Sequence, residues 1–329
     1  MLYVVLEADQ NDTRVVNAGM TFRKDENDMS GNRTFAAAGT ICLAMFLLGF
    51  FDNFVTLIAQ DLGLWQFHLM RAIMAVGILM LLSRFGHARL SPVRPWAVMV
   101  RGGFAAVAML IYFGCLAFLP IGQVAAGLFT APIWVLLICA LFLGQPVGAI
   151  RLGAAIVGFV GVLIVLDPFA NGLAPLALVP MAAGFFYAIG GIATRQWCEG
   201  ESALSMLLFF FLSLGLFGLI GSIAMTVWAP EAPAGADGFI LRGLVWPTPL
   251  GWGLTVMQAV GSLVAVGLIF KGYQMGEAGQ VAIYEYLLLP FAAGWSFVLF
   301  GDPVPARAIF GMVLIIVSGA IISLRSRVV

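Results

Sequence analysis

Long apolar runs, separated by short turns rich in proline, glycine and charged residues, fill the chain from about residue 35 onward. A helix needs about 20 apolar residues to cross roughly 30 Å of hydrocarbon, so runs of this length predict membrane spans. The pattern predicts an all-α membrane protein with ten transmembrane helices. The predicted spans are residues 35–58, 65–83, 96–118, 121–143, 150–167, 173–194, 203–226, 250–271, 278–300 and 305–324.

The first 33 residues break this pattern, because Asp, Glu, Asn, Arg and Lys are mixed through them. A secretory signal would need a basic start, followed at once by an apolar core and a small-residue cleavage site, and the segment lacks that arrangement. Residues 1–33 are therefore predicted to form a disordered cytoplasmic tail.

Composition agrees with a membrane protein. Of the 329 residues, 62% are hydrophobic and only 10% are charged, against about half and about a quarter in soluble domains. Sixteen basic and sixteen acidic residues leave no net charge, so nothing in the charge balance points to a nucleic-acid partner.

The residues that carry chemistry form no enzyme or metal motif. The four cysteines are far apart and only two histidines occur, His68 and His87, so no zinc site is predicted. His68 is interpreted as a hydrogen-bonded structural residue. No phosphate loop, HExxH or GxSxG motif is found. We therefore expect no cofactor, no metal and no enzymatic activity.

The basic residues of the loops set the expected orientation, because cytoplasmic loops carry an excess of Lys and Arg. With the N-terminus in the cytoplasm, the cytoplasmic set collects twelve basic residues, whereas the opposite loops hold only Arg242 and Arg307. The sequence thus predicts a multi-pass protein of the inner membrane with both termini in the cytoplasm.

An internal repeat relates the two halves of the chain. The tetrapeptide GQVA occurs at residues 122–125 and 279–282, and GQPV at 144–147 matches GDPV at 301–304, both with an offset of 157 residues. The repeat predicts two five-helix units. Because five is an odd number, the second unit enters the membrane from the opposite face, as in the inverted repeats of many secondary transporters.

The predicted repeat units are residues 34–168 and 173–325. An earlier match, GFF at 49–51 and 184–186, has an offset of only 135 residues. The second unit must therefore contain 22 additional residues (157 less 135), and the proline- and glycine-rich loop 229–249 supplies them.

The chain resembles the drug/metabolite transporter superfamily, EamA type, over roughly residues 35–325. The second half carries the resemblance through EYLLLP at 285–290 and LFGD at 299–302, followed by glycines in the tenth span. The corresponding first-half residues are Pro132, Leu143, Gly144, Gln145, Gly153, Gly158 and Gly161. The resemblance implies transport of metabolites or other small solutes, without fixing solute or direction.

Charged residues inside spans cost about 2.5–3.5 kcal/mol each on insertion scales and therefore need a partner, a wet cavity or a function. Asp52 in span 1 and Arg71 in span 2 lie at similar predicted depths, roughly 9 Å below the outer surface. They are interpreted either as a structural ion pair or as a functional pair that gates the outer side or binds a zwitterionic solute. Asn53 adds an amide beside Asp52.

A second set lies toward the cytoplasmic side. Arg101 in span 3 and Glu285 in span 9 have comparable predicted depth. Glu285 is too short to reach the surface, so three roles stay open. It pairs with Arg101 or Lys271, contacts a substrate amine, or takes up a proton, because desolvation favours the neutral acid.

Pro132 and Pro290 are predicted to kink spans 4 and 9 near their middles, because each removes a backbone donor and crowds a preceding carbonyl. Irregular backbone at this depth is typical of cavity linings, although packing kinks remain an alternative. A few polar and aromatic side chains nearby complete the predicted substrate-binding or coupling residues: Gln123, Trp134, Tyr187, Gln258, Gln280 and Tyr284.

These observations predict a secondary active transporter that works by alternating access around a cavity bounded by spans 1, 3, 4, 6, 8 and 9. The leading interpretation is export of an amino acid or related amphipathic metabolite. The alternative is uptake of a vitamin-like or nucleoside-like aromatic solute. The expected partners are a small solute and the lipid bilayer, with proton coupling left open. An unfamiliar intramembrane enzyme, a channel and a sensor are competing classes.

Overall fold

The computed structural model describes residues 35–85, 90–142, 144, 148–167, 175–228, 230–275 and 282–325. The predicted tail, residues 1–33, and Gln280 lie outside these ranges. Within them the secondary structure is entirely helical, without a strand. The all-α class predicted from the apolar runs is therefore confirmed.

The helices follow the apolar runs closely. In chain order they are α1 (Phe35–Asp61), α2 (Leu64–Arg84), α3 (Pro95–Cys115), α4 (Ile121–Leu128 and Ala131–Phe142), α5 (Ala149–Leu166), α6 (Val179–Trp197), α7 (Ala203–Trp228), α8 (Pro249–Met275), α9 (Leu288–Phe300, after a 3-10 turn at Ala282–Leu287) and α10 (Ala306–Arg325).

Among the described residues, seven helices are long and apolar enough to cross a membrane: α1, α2, α3, α4, α6, α7 and α8. Shorter apolar helices lie within α5, α9 and α10. Large apolar side chains also cover much of the outer surface, as expected where lipid replaces water as the solvent. The chain is a multi-pass membrane protein.

Three helices are interrupted midway. A turn at residues 53–54 divides α1, and α4 stops at Leu128 and resumes at Ala131. The third interruption is the change from a 3-10 turn to an α-helix at Leu288 in α9. Irregular backbone in a membrane is tolerated where protein or a water-filled cavity surrounds it, so these interruptions mark the interior of the fold.

The prolines lie on the C-terminal side of two interruptions. Pro132 is the second residue of the resumed part of α4, and Pro290 is the third residue of the α-helical part of α9. Proline is accommodated in the first turn of a helix, where its missing N–H has no intrahelical partner. In α4 the Thr130 hydroxyl donates to the Gly127 carbonyl (2.7 Å), which satisfies an acceptor at the break.

Helix pairing is close where small residues face each other. The main pairs are α2 with α7, α3 with α6, and α5 with α10, and α9 also contacts α4. At the α5–α10 crossing, a Cβ atom on Gly161 would lie 2.8 Å from the Gly311 carbonyl oxygen, and one on Gly311 would lie 2.7 Å from that of Gly161. Nearby, the Ser318 hydroxyl donates to the Ala154 carbonyl (2.5 Å).

The described part of loop 229–249 folds over the end of the molecule where α1 ends and α2 begins, which we call the loop end. The Arg242 guanidinium donates to the carbonyl oxygens of Ala59 (2.7 Å) and Leu62 (2.8 Å). Asp61 accepts from the Thr248 hydroxyl (2.8 Å). The loop therefore caps the last carbonyls of α1, which have no partner within the helix.

Candidate functional site

The interruption of α1 is fixed by Asn53, which is 5% exposed. Its amide donates to the Gly49 carbonyl oxygen of α1 (2.7 Å) and to the Ala292 carbonyl oxygen of α9 (3.1 Å). One side chain thus satisfies an acceptor left by the break and ties α1 to α9. We call residues 51–54 the α1 break.

The other two contacts to the α1 break come from α8 and α3. The Gln258 amide donates to the Phe51 carbonyl oxygen (2.8 Å), and the Tyr112 hydroxyl donates to Asp52 Oδ2 (3.0 Å). Asp52 and Gln258 are 7% and 1% exposed. Three consecutive residues of α1, Phe51, Asp52 and Asn53, are therefore hydrogen-bonded to α8, α3 and α9.

Arg71 of α2 is buried beside the α1 break, with its guanidinium among aromatic rings. Its Cζ atom lies 4.7 Å from the ring centre of Phe113, 5.7 Å from that of Phe211 and 5.8 Å from that of Phe67. Cation–π contacts of this kind contribute about 2 kcal/mol or more where water is excluded. Nonetheless, the Nε and Nη1 atoms of Arg71 have no hydrogen-bond partner.

The predicted ion pair between Asp52 and Arg71 takes a different form. The two charges are close enough to interact electrostatically, but the carboxylate is bonded to Tyr112 and the guanidinium faces the rings. No direct salt bridge joins them. Arg71 is held instead by its packing against the rings of Phe67, Phe113 and Phe211.

His68 lies one helical turn before Arg71 and is fully buried. Both of its ring nitrogens lack a hydrogen-bond partner, and its ring packs on those of Phe67 and Phe113 at 5.0 Å. The prediction that the His68 side chain is hydrogen-bonded is therefore wrong. Buried polar atoms normally have a partner, often ordered water, so this segment of α2 carries unused hydrogen-bonding capacity.

A second polar group lies nearer the opposite end of the helices, which we call the basic end. The Arg101 guanidinium of α3 donates to the Thr194 hydroxyl of α6 (2.9 Å). Tyr187, two turns earlier in α6, lies within electrostatic reach of both Arg101 and Glu285. The structure thus groups Arg101 and Glu285 around Tyr187, as their comparable depth in the sequence suggested.

The two polar groups differ in access. Tyr187 is 44% exposed although it lies between two internal charges, whereas Asp52, Asn53 and Arg71 are 7%, 5% and 4% exposed. The Tyr187 side chain therefore keeps free surface beside Arg101 and Glu285, whereas the side chains at the α1 break are enclosed by the neighbouring helices.

The remaining predicted site residues lie at separate places in the fold. Gln123 is the third residue of α4, at the loop end, and Tyr284 precedes Glu285 in the 3-10 turn before α9. Trp134 lines an apolar groove of about 480 Å³ between α4, α5 and α6. Its indole packs edge to face against the Phe185 ring, with 5.3 Å between the ring centres, and its Nε1 atom has no hydrogen-bond partner.

Sequence reasoning missed Tyr112 and Thr194. Both contact residues that were singled out, Asp52 and Arg101, from distant positions in the chain. A tyrosine or threonine inside an apolar run is compatible with ordinary packing, so its pattern gives no signal. Depth offered a clue for Tyr112, which lies level with Asp52 in the predicted spans. Thr194 lies at the predicted end of span 6, so depth gave no clue for it.

Two charged groups outside the membrane-spanning helices have shifted pKa values. Burial raises the pKa of Glu201, but hydrogen bonds from the backbone N–H groups of Arg94 and Val93 outweigh it, and the net pKa lies below the ordinary value. Burial lowers the pKa of Arg242, and Asp61 partly offsets that effect. Glu201 thus caps the start of α3 from the turn between α6 and α7.

We expect Glu201→Gln to lower thermal stability slightly at neutral pH and not at all in acid. Because the folded-state pKa lies below the unfolded value, the stabilisation is present above about pH 4.3 and is lost as the pH falls through the folded-state pKa. Solvent screening limits the effect to below about 1 kcal/mol. Thermal unfolding in detergent across this pH range, with exposed Glu199→Gln as control, measures it. An equal loss in both variants would contradict the cap.

Comparison with known proteins gives several related sequences. The chain is 28% identical over 220 residues to a riboflavin transporter of Rhizobium johnstonii, covering 66% of this chain and 67% of that protein. It is 26% identical over 248 residues to the pseudopaline exporter CntI of Pseudomonas aeruginosa, covering 74% and 81%. It is also 26% identical over 240 residues to an S-adenosylmethionine uptake transporter of Rickettsia bellii, covering 70% and 74%.

The fold also has a relative among solved structures. One structure, described as "Crystal structure of protein", superposes with a TM-score of 0.61 at 15% identity and covers 90% of this chain and 98% of that chain. This likeness concerns the fold alone. No family model matches the chain. The related sequences are named as transporters and not as enzymes, which supports a non-enzymatic transport role for this membrane protein.

Proposed function

We propose that the chain is a secondary active transporter of the drug/metabolite transporter superfamily, EamA type, which moves a small metabolite across the inner membrane by alternating access. In this proposal ten helices cross the membrane as two inverted five-helix repeats, residues 34–168 and 173–325, with both termini in the cytoplasm. The names of the related proteins support the transport role. The inverted repeat and the solute site are proposed from helix contacts, helix interruptions and the exposure of the polar groups.

Contacts between α5 and α10 support the inverted repeat. Adding the repeat offset of 157 residues to Gly161 gives Ser318, and subtracting it from Gly311 gives Ala154. The contact of Gly161 with Gly311 therefore corresponds to a contact of Ser318 with Ala154, and both contacts occur. A two-fold axis between these helices exchanges such pairs, as expected for repeats of opposite orientation.

Helix interruptions support the same relation. The resumed part of α4 begins at Ala131 and the α-helical part of α9 begins at Leu288, again 157 residues apart. Each start is followed by a proline within its first three residues, Pro132 and Pro290. Discontinuous helices at corresponding positions of two repeats typically surround the central site of a secondary transporter.

The observation that carries the proposal is the unequal access of the two polar groups. Tyr187 keeps free surface beside Arg101 and Glu285, while the residues of the α1 break are buried. In this proposal the free surface of Tyr187 lines a central cavity that is open at the basic end. A transporter that alternates between two states has one side open and the other closed in each of them. In this proposal the structure is inward-facing, since the basic end carries the cytoplasmic turns.

The solute is proposed to be a small metabolite with an aromatic ring, taken up by the cell. Two related proteins are named for riboflavin and for S-adenosylmethionine uptake, and both solutes join a heteroaromatic ring to a polar tail. Arg101, Tyr187 and Glu285 offer a cation, a phenol and a carboxylate to such a molecule. This favours the uptake alternative over export of an amino acid.

Export of an amphipathic metabolite remains the second candidate, because a related protein is named as the exporter of pseudopaline. In either direction the same residues are proposed to contact the solute. In this proposal, further hydrogen-bonding groups along the path come from Gln123, Tyr284 and Gln280. Trp134 contributes an aromatic face beside the interruption of α4.

Flux measurements in proteoliposomes test the proposal. We expect purified wild type to take up riboflavin or S-adenosylmethionine with saturation kinetics, in a screen that also includes mixed amino acids. Arg101→Gln should lower that flux at least about 10-fold, because removing a buried cation from a binding site costs more than about 1.4 kcal/mol.

Arg195→Gln is the matched control, since Arg195 lies exposed in the last turn of α6. Its flux should stay within about two-fold of wild type. Absence of flux for every solute in the screen, or flux that does not saturate, would reject the proposal in favour of a sensor or a channel.

A further inference from the structure

The acid at the α1 break has an unusual set of neighbours. Asp52 is buried in the wall formed by α1, α2, α3 and α8. The polar groups around it among the described residues are the Arg71 guanidinium from α2, the Tyr112 hydroxyl from α3 and the neutral Gln258 amide from α8. His68 lies one turn from Arg71 on α2, within its electrostatic reach. Asp52 thus has one direct hydroxyl donor and one nearby cation that is not bonded to it.

Such an acid has two stable arrangements. An ionised carboxylate and a guanidinium at short range attract each other strongly where water is excluded, so ionised Asp52 favours a direct pair with Arg71. A neutral carboxylic acid removes that attraction. In the structure Asp52 accepts from the Tyr112 hydroxyl and Arg71 lies against the phenylalanine rings. The Tyr112 bond is open to either form of the acid, so the two forms differ in the attraction of Asp52 for Arg71.

The unused atoms of α2 supply a second, independent observation. Nε and Nη1 of Arg71 and both ring nitrogens of His68 are buried without hydrogen-bond partners. These four atoms belong to side chains one helical turn apart on α2, and Arg71 is the one that lies beside Asp52. Polar atoms in such a place are normally satisfied by internal water, so the interior beside Asp52 carries polar groups able to bind water.

We propose that Asp52 is the proton-binding residue that couples a proton gradient to solute movement. The inference rests on the proposed transport function and adds the coupling ion to it. A proton from water binds a carboxylate oxygen of Asp52 and forms a neutral carboxylic acid, and the same proton leaves to water on the other side. No other bond forms or breaks.

Coupling follows from the position of Asp52 at the α1 break. Its two neighbours in the chain are tied to α8 and α9, through Gln258 and through Asn53. A change in the attraction between Asp52 and Arg71 therefore shifts the point that joins four helices. Protonation favours one packing of this point and ionisation the other, which is the differential interaction a conformational switch requires.

Infrared difference spectra between acidic and alkaline buffer test the proton site without a solute. We expect wild type to show the carbonyl stretch of a buried carboxylic acid that Asp52→Asn lacks. Tyr112→Phe should shift the frequency of this band, because it removes the hydroxyl bonded to the acid. Asp237→Asn, at an exposed position of the loop end, should leave the band unchanged. An identical band in Asp52→Asn and wild type would overturn the proposal.

Transport assays test the coupling. With riboflavin or S-adenosylmethionine as the probe, Asp52→Asn should lose accumulation driven by a pH gradient but keep exchange of labelled for unlabelled probe. Wild-type accumulation in Asp52→Asn would overturn the inference and leave the proposed function standing. If wild type carries neither probe while the infrared band behaves as expected, the proposed solute class fails and the proton site stands.

Discussion

Replacing Arg71 with methionine is expected to lower transport at least about 10-fold while leaving the folded protein as stable as wild type, or more stable. Arg71 is 4% exposed, has two unpaired donor atoms and makes no direct salt bridge. A buried charge in this condition contributes little to folding, and exchange of buried ionic groups for apolar residues of similar volume is often neutral or stabilising by about 1–4 kcal/mol. Methionine also fills the space among the rings.

The loss of transport has a separate cause. In the proposed mechanism the attraction between Asp52 and Arg71 distinguishes the two packings of the α1 break, and methionine removes it in both. Initial uptake rates in proteoliposomes and thermal unfolding in detergent measure the two effects on one preparation. Arg84→Met, at the exposed end of the same helix, is the matched control.

The outcome separates a structural Arg71 from a functional one. If Arg71→Met unfolds or loses several kcal/mol, the cation–π contacts with Phe67, Phe113 and Phe211 are part of the scaffold and the gating interpretation fails. Retained stability with retained transport would remove Arg71 from the mechanism altogether.

Adding one methyl group at Gly161 is expected to lower stability by about 1–3 kcal/mol, the usual effect of overpacking. Its Cβ atom would lie 2.8 Å from the Gly311 carbonyl oxygen and 2.9 Å from the Leu314 Cβ atom. Backbone cannot move aside as a flexible side chain can, so α5 and α10 must separate. Thermal unfolding of Gly161→Ala in detergent measures the effect.

Gly153→Ala provides the control on the same helix. A Cβ atom there meets nothing within 4 Å, and alanine is the better helix former by about 1 kcal/mol. Gly153→Ala should therefore match or slightly exceed wild type. Equal stability of both variants would mean that α5 and α10 are not tightly packed at this crossing.

Much of the fold was predictable because its determinants are local. Length and hydropathy of each apolar run decide where a membrane helix forms, and seven of the predicted spans coincide with helices long and apolar enough to cross a membrane. In the first half, α3 stops at Cys115, before its predicted end at residue 118, and α1 continues past its predicted end at residue 58 to Asp61. Helix α1 does so because loop 229–249 caps its last turn, and a contact between distant segments leaves no mark on the run itself.

The local sequence predicts two of the three helix interruptions, and the third depends on a long-range contact. Those of α4 and α9 lie beside Pro132 and Pro290, where sequence alone restricts the backbone. The α1 break contains neither proline nor glycine. It is stabilised by the Asn53 amide, which bonds a carbonyl of α9 239 residues away, so only the folded structure reveals it.

The charged site residues could be predicted from the sequence, but their contacts could not. Charged residues inside apolar runs are conspicuous, which is why Asp52, Arg71, Arg101 and Glu285 were singled out. What each charge contacts was not predictable, since Asp52 is bonded to Tyr112 instead of Arg71. Residue counts give depth along a helix, but they do not give its rotation, and rotation decides which side chains meet.

Loop 229–249 attaches the second half of the chain to helices of the first half. It belongs to the second repeat, yet Arg242 is bonded to the end of α1, and the Gln66 side chain of α2 exchanges two hydrogen bonds with the Val245 backbone (2.7 and 3.0 Å). In the proposed mechanism the two halves exchange conformations, so an attachment at the loop end would make the two access states differ in energy. Loop 229–249 would then set a resting bias toward the state closed at the loop end.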